Sequence, residues 1–115
     1  MTNSPETVGP LLASLTTLRL GGPARAIVRC TETDALVATV LDLDSRGESV
    51  LIVGGGSNLV IGDDGFDGTA VVVASTGIEY AEEDGRPYVI AEAGNDCDAL
   101  VADTVAAGFG GLECL

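Results

Sequence analysis

The sequence contains no histidine and no lysine. Without histidine the chain has no imidazole base, no Ser-His-Asp triad and no histidine ligand for a metal ion. Without lysine it has no Schiff-base amine and no phosphate-binding lysine of the Walker type. These absences exclude several common catalytic classes, and we assign no catalytic residue and no metal ligand to this chain.

Cysteines are few and scattered. Cys30, Cys97 and Cys114 are far apart and include no CxxC pair, which indicates neither a zinc site nor a dithiol redox site. Residues 1–7 lack the basic and apolar regions of a signal peptide, and no run approaches about 18 apolar residues, the length of a membrane span. These features together predict a cytoplasmic protein with reduced thiols.

Basic and aromatic side chains are scarce as well. Five arginines oppose 18 acidic residues, the net charge is -13, and the chain has two Phe, two Tyr and no Trp. An acidic surface repels polyanions, so we expect neither nucleic acid nor an anionic membrane as a partner. No obligate protein partner is evident. Hydrophobic residues make up 46% of the chain and are almost all aliphatic, which predicts one finely packed core.

The hydrophobic pattern predicts an α+β fold with a mixed sheet. A hairpin is expected around Asp84-Gly85, because this dipeptide separates two strand-like runs. The predicted strands are 26–30, 50–53, 59–61, 69–73, 78–82 and 88–92, and 50–53 is apolar enough for burial on both faces.

Two helices are expected between these strands. The first follows an N-cap at Thr31, with Asp34 as a weak capping-box partner, and ends at Gly47. The second starts at Asn95 or Asp96, carries Leu100, Val101 and Val105 at helical spacing, and ends at Gly108.

The most informative stretch follows the strand at 50–53. Three glycines allow the backbone to approach a ligand closely, and successive free N–H groups then form a concave site for a diphosphate. A Rossmann turn is excluded, because position 59 is Leu and a strand is expected to follow. Loop chemistry alone leaves a plain tight turn equally open. The candidate binding residues are Gly54, Gly55, Gly56, Ser57 and Asn58.

Three motifs in order resemble one family. Leu15-Thr-Thr-Leu-Arg-Leu-Gly-Gly-Pro-Ala24 is similar to its first motif, and Gly54-Gly-Gly-Ser-Asn-Leu-Val60 is similar to its flavin diphosphate loop. Ala91-Glu-Ala-Gly94 and Gly108-Phe-Gly-Gly-Leu-Glu-Cys-Leu115 look like the stretch that leads to a second flavin loop. The family is UDP-N-acetylenolpyruvoylglucosamine reductase, whose FAD domain is of the vanillyl-alcohol-oxidase/p-cresol-methylhydroxylase type.

The resemblance implies a flexible leader at 1–14, a first FAD-binding subdomain at 15–76 and the start of a second at 77–115. It implies that FAD contacts the glycine loop and Gly94, although a helix N-cap turn is an equal interpretation of Gly94. In this family NADPH reduces the flavin, which passes hydride to the enolpyruvyl double bond of a UDP-sugar. The catalytic Ser, Arg and Glu are expected beyond residue 115.

Two other functions stay open at this point. One is a non-enzymatic acidic interaction domain that has kept the fold and lost FAD. The other is a different FAD oxidoreductase of the same fold, although such enzymes commonly anchor flavin through a His or Cys.

Several further residues have structural interpretations. Thr17 and Arg19 are expected to be strand residues, and Arg25 and Arg29 to neutralise nearby acids. The acidic loop at 63–67 lacks the ligand spacing of an EF-hand, so it is expected to be a solvated turn.

Overall fold

The computed structural model describes residues 12–15, 21–55 and 59–112, together with the backbone of residues 6–7. Contacts within the chain divide it into two compact units, Met1–Ala74 and Ser75–Leu115. This division lies close to the predicted boundary after residue 76, and the assignment of the two units as flavin subdomains stays a prediction.

The first unit is built on a mixed four-stranded sheet. Its strands are β1 (Glu6–Thr7), β2 (Ala24–Cys30), β3 (Val50–Val53) and β4 (Phe66–Val73), in the spatial order β1-β2-β4-β3. Strand β1 is antiparallel to β2, whereas β2, β4 and β3 are parallel. The α+β class is confirmed. Part of the predicted leader joins this unit, as β1 and as a 3₁₀ turn at Leu12–Leu15.

Strand β4 is the centre of the sheet. Its residues from Gly68 to Val73 are all buried, as expected for a strand that is covered on both faces. The prediction for β3 was wrong in one respect. Among the described strands β3 lies at the edge of the sheet, and the Ile52 side chain is half-exposed.

Helix α1 (Thr33–Ser45) covers one face of this sheet. Its Leu43 forms a buried cluster with Cys30 of β2 and Val71 of β4, and Leu36, Val40, Val28 and Val50 pack around them. The predicted cap at Thr31 was wrong. The N-cap is Glu32, which has an extended backbone and no side-chain cap hydrogen bond, so the helix begins one residue later than a cap at Thr31 would place it.

The predicted end of α1 at Gly47 is confirmed. Gly47 has a φ of 67°, and the N–H groups of Gly47 and Glu48 donate to the carbonyls of Asp44 and Leu43. This is the Schellman arrangement, which satisfies the last carbonyls of a helix. It also delivers Glu48 to the amino-terminal edge of the sheet.

Glu48 and Arg25 form a polar clamp at that edge. The Arg25 guanidinium lies 2.5 Å from Glu48 Oε1 and 3.1 Å from Asp67 Oδ1, and the Thr69 hydroxyl donates to Glu48 Oε2 at 3.0 Å. The prediction that Arg25 neutralises nearby acids is confirmed.

The opposite face of the sheet is covered by the chain between β3 and β4. A parallel pair of strands needs a crossover of a dozen or more residues, and residues 54–65 form it. The strand predicted at 59–61 was wrong. Leu59 and Ile61 pack on the second buried cluster, while Val60 is 77% exposed, so the apolar alternation reflects packing without strand pairing.

Two glycines fix the end of this crossover. The Gly22 N–H donates to the Gly62 carbonyl at 2.9 Å, and the Phe66 N–H donates to the Pro23 carbonyl at 3.0 Å. A Cβ atom on Gly22 would overlap the Asp63 carbonyl, and one on Gly65 would overlap the Pro23 carbonyl. The Gly-Gly-Pro segment therefore has a packing role, because its backbone contacts the end of the crossover just before β4.

The second unit contains a hairpin, β5 (Ile78–Glu83) and β6 (Arg86–Ala91), paired antiparallel. Asp84 and Gly85 both have positive φ, 53° and 75°, as a type I′ turn requires. The hairpin prediction is confirmed.

Helix α2 (Cys97–Ala106) follows the hairpin. The Asp96 carboxylate caps it by accepting the Ala99 N–H at 3.0 Å, which confirms one of the two predicted caps. Gly108 ends the helix with a φ of 82°, and the next residue, Phe109, packs edge-on against Tyr80 at 5.0 Å between ring centroids. In the part of the chain that the structure describes, neither helix is long and apolar enough to cross a membrane.

The packing role of Gly65 is testable against a matched glycine. Gly65→Ala combines a positive φ of 77° with overlap on the Pro23 carbonyl, so we expect it to destabilise the unit by at least about 2 kcal/mol. Gly62→Ala is the control, because its Cβ meets no atom within 4 Å. Thermal unfolding of the intact protein measures both, and equal midpoints would contradict this role.

Candidate functional site at the carboxyl edge of the parallel strands

The predicted diphosphate loop starts where β3 ends. Val53 is buried in the cluster on the crossover face, and Gly54 and Gly55 follow it as exposed residues at the carboxyl end of the strand. The remaining predicted loop residues, Gly56, Ser57 and Asn58, lie outside the described residues. The structure thus locates the beginning of the loop at one edge of the parallel strands.

This edge has the topology of a ligand site. The chain leaves β2 for α1 on one face, whereas it leaves β3 for the crossover on the opposite face. In open sheets with parallel strands, ligands bind outside the carboxyl ends of the strands where outgoing connections diverge to opposite faces. Here the diverging connections start from β2 and β3, and the carboxyl end of β4 lies between these two strands.

Gly54 and Gly55 differ from the packing glycines. A Cβ atom on either would meet no atom of a described residue within 4 Å, and neither residue has a positive φ. Their backbone conformation and described neighbours therefore do not require glycine. Among the described residues, none fills the space that a side chain on either glycine would take.

The chemistry of this opening suits an anion. Among the described residues, none accepts a hydrogen bond from the Gly55 N–H. Diphosphate oxygens are strong acceptors, and a glycine backbone allows them to approach closely.

Gly94 lies in the second unit. Its N–H donates to the Ser75 carbonyl at 2.8 Å, in the turn that precedes α2. The Asn95 side chain reinforces this turn by donating to the carbonyls of Gly77 and Glu92. The Gly94 N–H is therefore engaged within the protein, and contact between Gly94 and FAD stays a prediction.

The residues for which the sequence predicts structural roles divide into three groups. Thr17 and Arg19 lie outside the described residues. The acidic loop at 63–67 belongs to no metal-binding group of three His, Cys, Asp or Glu residues in the described ranges. Arg29 makes no ion pair with any described acidic side chain, in contrast to Arg25, so its predicted neutralising role has no described partner.

Comparison with known proteins supplies the identity of the ligand. A family model described as FAD binding domain matches residues 24–115, which is most of the chain. The chain belongs to the FAD-binding domain family. The match begins at the first residue of β2 and includes the glycine loop. FAD is therefore the cofactor of this family that the carboxyl edge would have to accommodate.

Curated relatives of this FAD-binding domain share one name, UDP-N-acetylenolpyruvoylglucosamine reductase. The protein from Nocardia farcinica is 61% identical over 104 residues, which are 90% of this chain and 26% of the relative. Those from Saccharopolyspora erythraea and Salinispora arenicola are 49% and 50% identical, over 95% and 90% of this chain. The chain spans 26% to 30% of the length of these three relatives.

The open glycines give a direct test of the site. We expect Gly55→Ala to weaken FAD binding by about tenfold or more, because the added Cβ fills the space that a phosphate oxygen needs, and about 1.4 kcal/mol of lost contact corresponds to tenfold. Gly55→Val should weaken it further. Titration of the flavin-free intact protein with FAD measures both affinities.

The control is again Gly62→Ala, which adds the same atom to an equally open glycine at the other end of the crossover. It should leave FAD affinity unchanged. If all three variants bind FAD as tightly as the parent, the carboxyl-edge site is wrong.

Proposed function

We propose that the loop at 54–58 holds the diphosphate of FAD in a longer protein that reduces UDP-N-acetylglucosamine enolpyruvate to UDP-N-acetylmuramate. NADPH is the proposed reductant, peptidoglycan synthesis the proposed process and the cytoplasm the proposed compartment. The observation that carries the proposal is the open space at Gly54 and Gly55, at the edge where the connections from β2 and β3 diverge. The names of the relatives support the choice of reaction.

Within this proposal the chain binds and orients the cofactor. Backbone N–H groups of the glycines donate to the diphosphate, Ser57 and Asn58 add side-chain donors, and Gly94 is a further proposed contact of FAD. When bound, FAD supplies hydride transfer. The Ser, Arg and Glu that complete the reduction in this family are proposed to lie in other parts of the longer protein.

The charge of the chain constrains how this binding works. A net charge of -13 gives no long-range attraction for an anionic cofactor, so affinity depends on short-range contacts at the loop. Oriented backbone N–H groups suit this situation, because they offer partial positive charge without adding a flexible cation.

Purification of the intact protein tests the proposed activity. We expect a flavin absorbance spectrum with one FAD per protein, and oxidation of NADPH that depends on UDP-N-acetylglucosamine enolpyruvate with one equivalent consumed per product. Protein without flavin that fails to bind added FAD would indicate the non-enzymatic acidic domain instead. Bound flavin with no dependence on the UDP-sugar would indicate a different FAD oxidoreductase.

A further inference from the structure

We propose that Arg29 binds a phosphate group of the dinucleotide at the carboxyl edge. This inference rests on the proposed function and adds a residue to it, because the glycine-loop motif does not include Arg29. Three observations support it: strand register, the face of the sheet and the distribution of positive charge.

The register places Arg29 level with the start of the loop. Arg29 of β2 pairs with Val72 of β4, and Val72 pairs in turn with Val53 of β3. Neighbouring strands lie about 4.8 Å apart, so the Cα atoms of Arg29 and Val53 are separated by about 10 Å across β4. Gly54 follows Val53 directly, and a long arginine side chain can reach into this interval.

The face of the sheet is also the right one. Val53 and Val72 are both buried in the cluster under the crossover. Residues at matching positions of parallel strands lie on the same face, so Arg29 belongs to the crossover face as well. Ile27, two residues earlier in β2, belongs to the same cluster. The chain that leaves β3 through Gly54 therefore turns toward the face on which Arg29 lies.

Among the three described arginines of the first unit, Arg29 differs from the other two in its ion pairing. In the first unit, Arg25 is paired with Glu48 and Asp67, and Arg46 is paired with Asp42 at 3.1 Å. Arg29 is exposed and has no ion pair with a described acidic side chain. The backbone of Glu6 lies opposite it in β1. A guanidinium offers a planar fork of donors that matches phosphate oxygens, and its charge would add to the attraction from the backbone N–H groups of the loop.

Substitution of Arg29 in the flavin-free intact protein tests this role by FAD titration. We expect Arg29→Gln to raise the Kd for FAD about tenfold at low salt, a typical effect of losing one charge-assisted contact. The ratio of mutant to parent Kd should shrink at about 1 M salt, where the Debye length falls to about 3 Å. Arg29→Lys keeps the charge but loses the planar fork of donors. Its Kd for FAD should lie between those of the parent and Arg29→Gln.

Arg25→Gln is the matched control, because it removes the same charge from the other end of β2, where Arg25 is already paired with acids. It should leave the Kd for FAD and its salt dependence unchanged. Glu6→Gln tests whether Arg29 affects FAD binding only by stabilising the pairing of β1 with β2. An effect of Glu6→Gln equal to that of Arg29→Gln would overturn the phosphate role.

The Gly55 variants separate failure of this inference from failure of the proposed function. If Gly55→Val weakens FAD binding and Arg29→Gln does not, the loop site stands and the Arg29 inference is wrong. If neither variant changes the affinity, both are wrong. Thermal unfolding of each variant, without FAD, shows whether a change in affinity reflects loss of fold, and a loss of affinity that scales with lost stability would count against Arg29 as a ligand.

Discussion

The parallel pairing of β3 with β4 is the constraint on which the rest of the first unit depends. Two adjacent parallel strands cannot be joined by a tight turn, so the chain after Val53 returns along the whole length of the sheet. Helix α1 already occupies one face, and the return takes the other. The loop at Gly54 is thereby placed at the carboxyl edge, open toward solvent and next to the point where the connections diverge.

Glycine serves two opposite purposes in this arrangement. At Gly22 and Gly65 it permits backbone segments to touch, so the missing side chain is replaced by protein. At Gly54 and Gly55 the missing side chain leaves open space. The first pair fixes where the crossover ends, and the second leaves room for a ligand where it begins. Membership in the FAD-binding domain family makes FAD the cofactor, and the proposal places its diphosphate, which needs close backbone approach, in that space.

Features that depend on local sequence were predicted correctly except for the cap at Thr31, which the structure places at Glu32. The Asp84-Gly85 turn, the Asp96 cap and the Gly47 stop follow from the conformations that these residues favour within a few positions. Residues 59–61 were assigned wrongly, because a crossover that packs on a sheet shows the same apolar alternation as a strand. The register that places Arg29 level with the start of the loop depends on pairing across three strands, and the sequence of one segment does not show it.

Amide hydrogen exchange of the intact protein, with and without FAD, tests the central claim most directly. We expect FAD to slow exchange at the glycine loop, including Gly55, whose N–H donates to no described residue. Exchange at the crossover end near Gly65, whose N–H already donates to the Gly62 carbonyl, should change little. Unchanged exchange at Gly55 in protein that carries stoichiometric FAD would contradict the account.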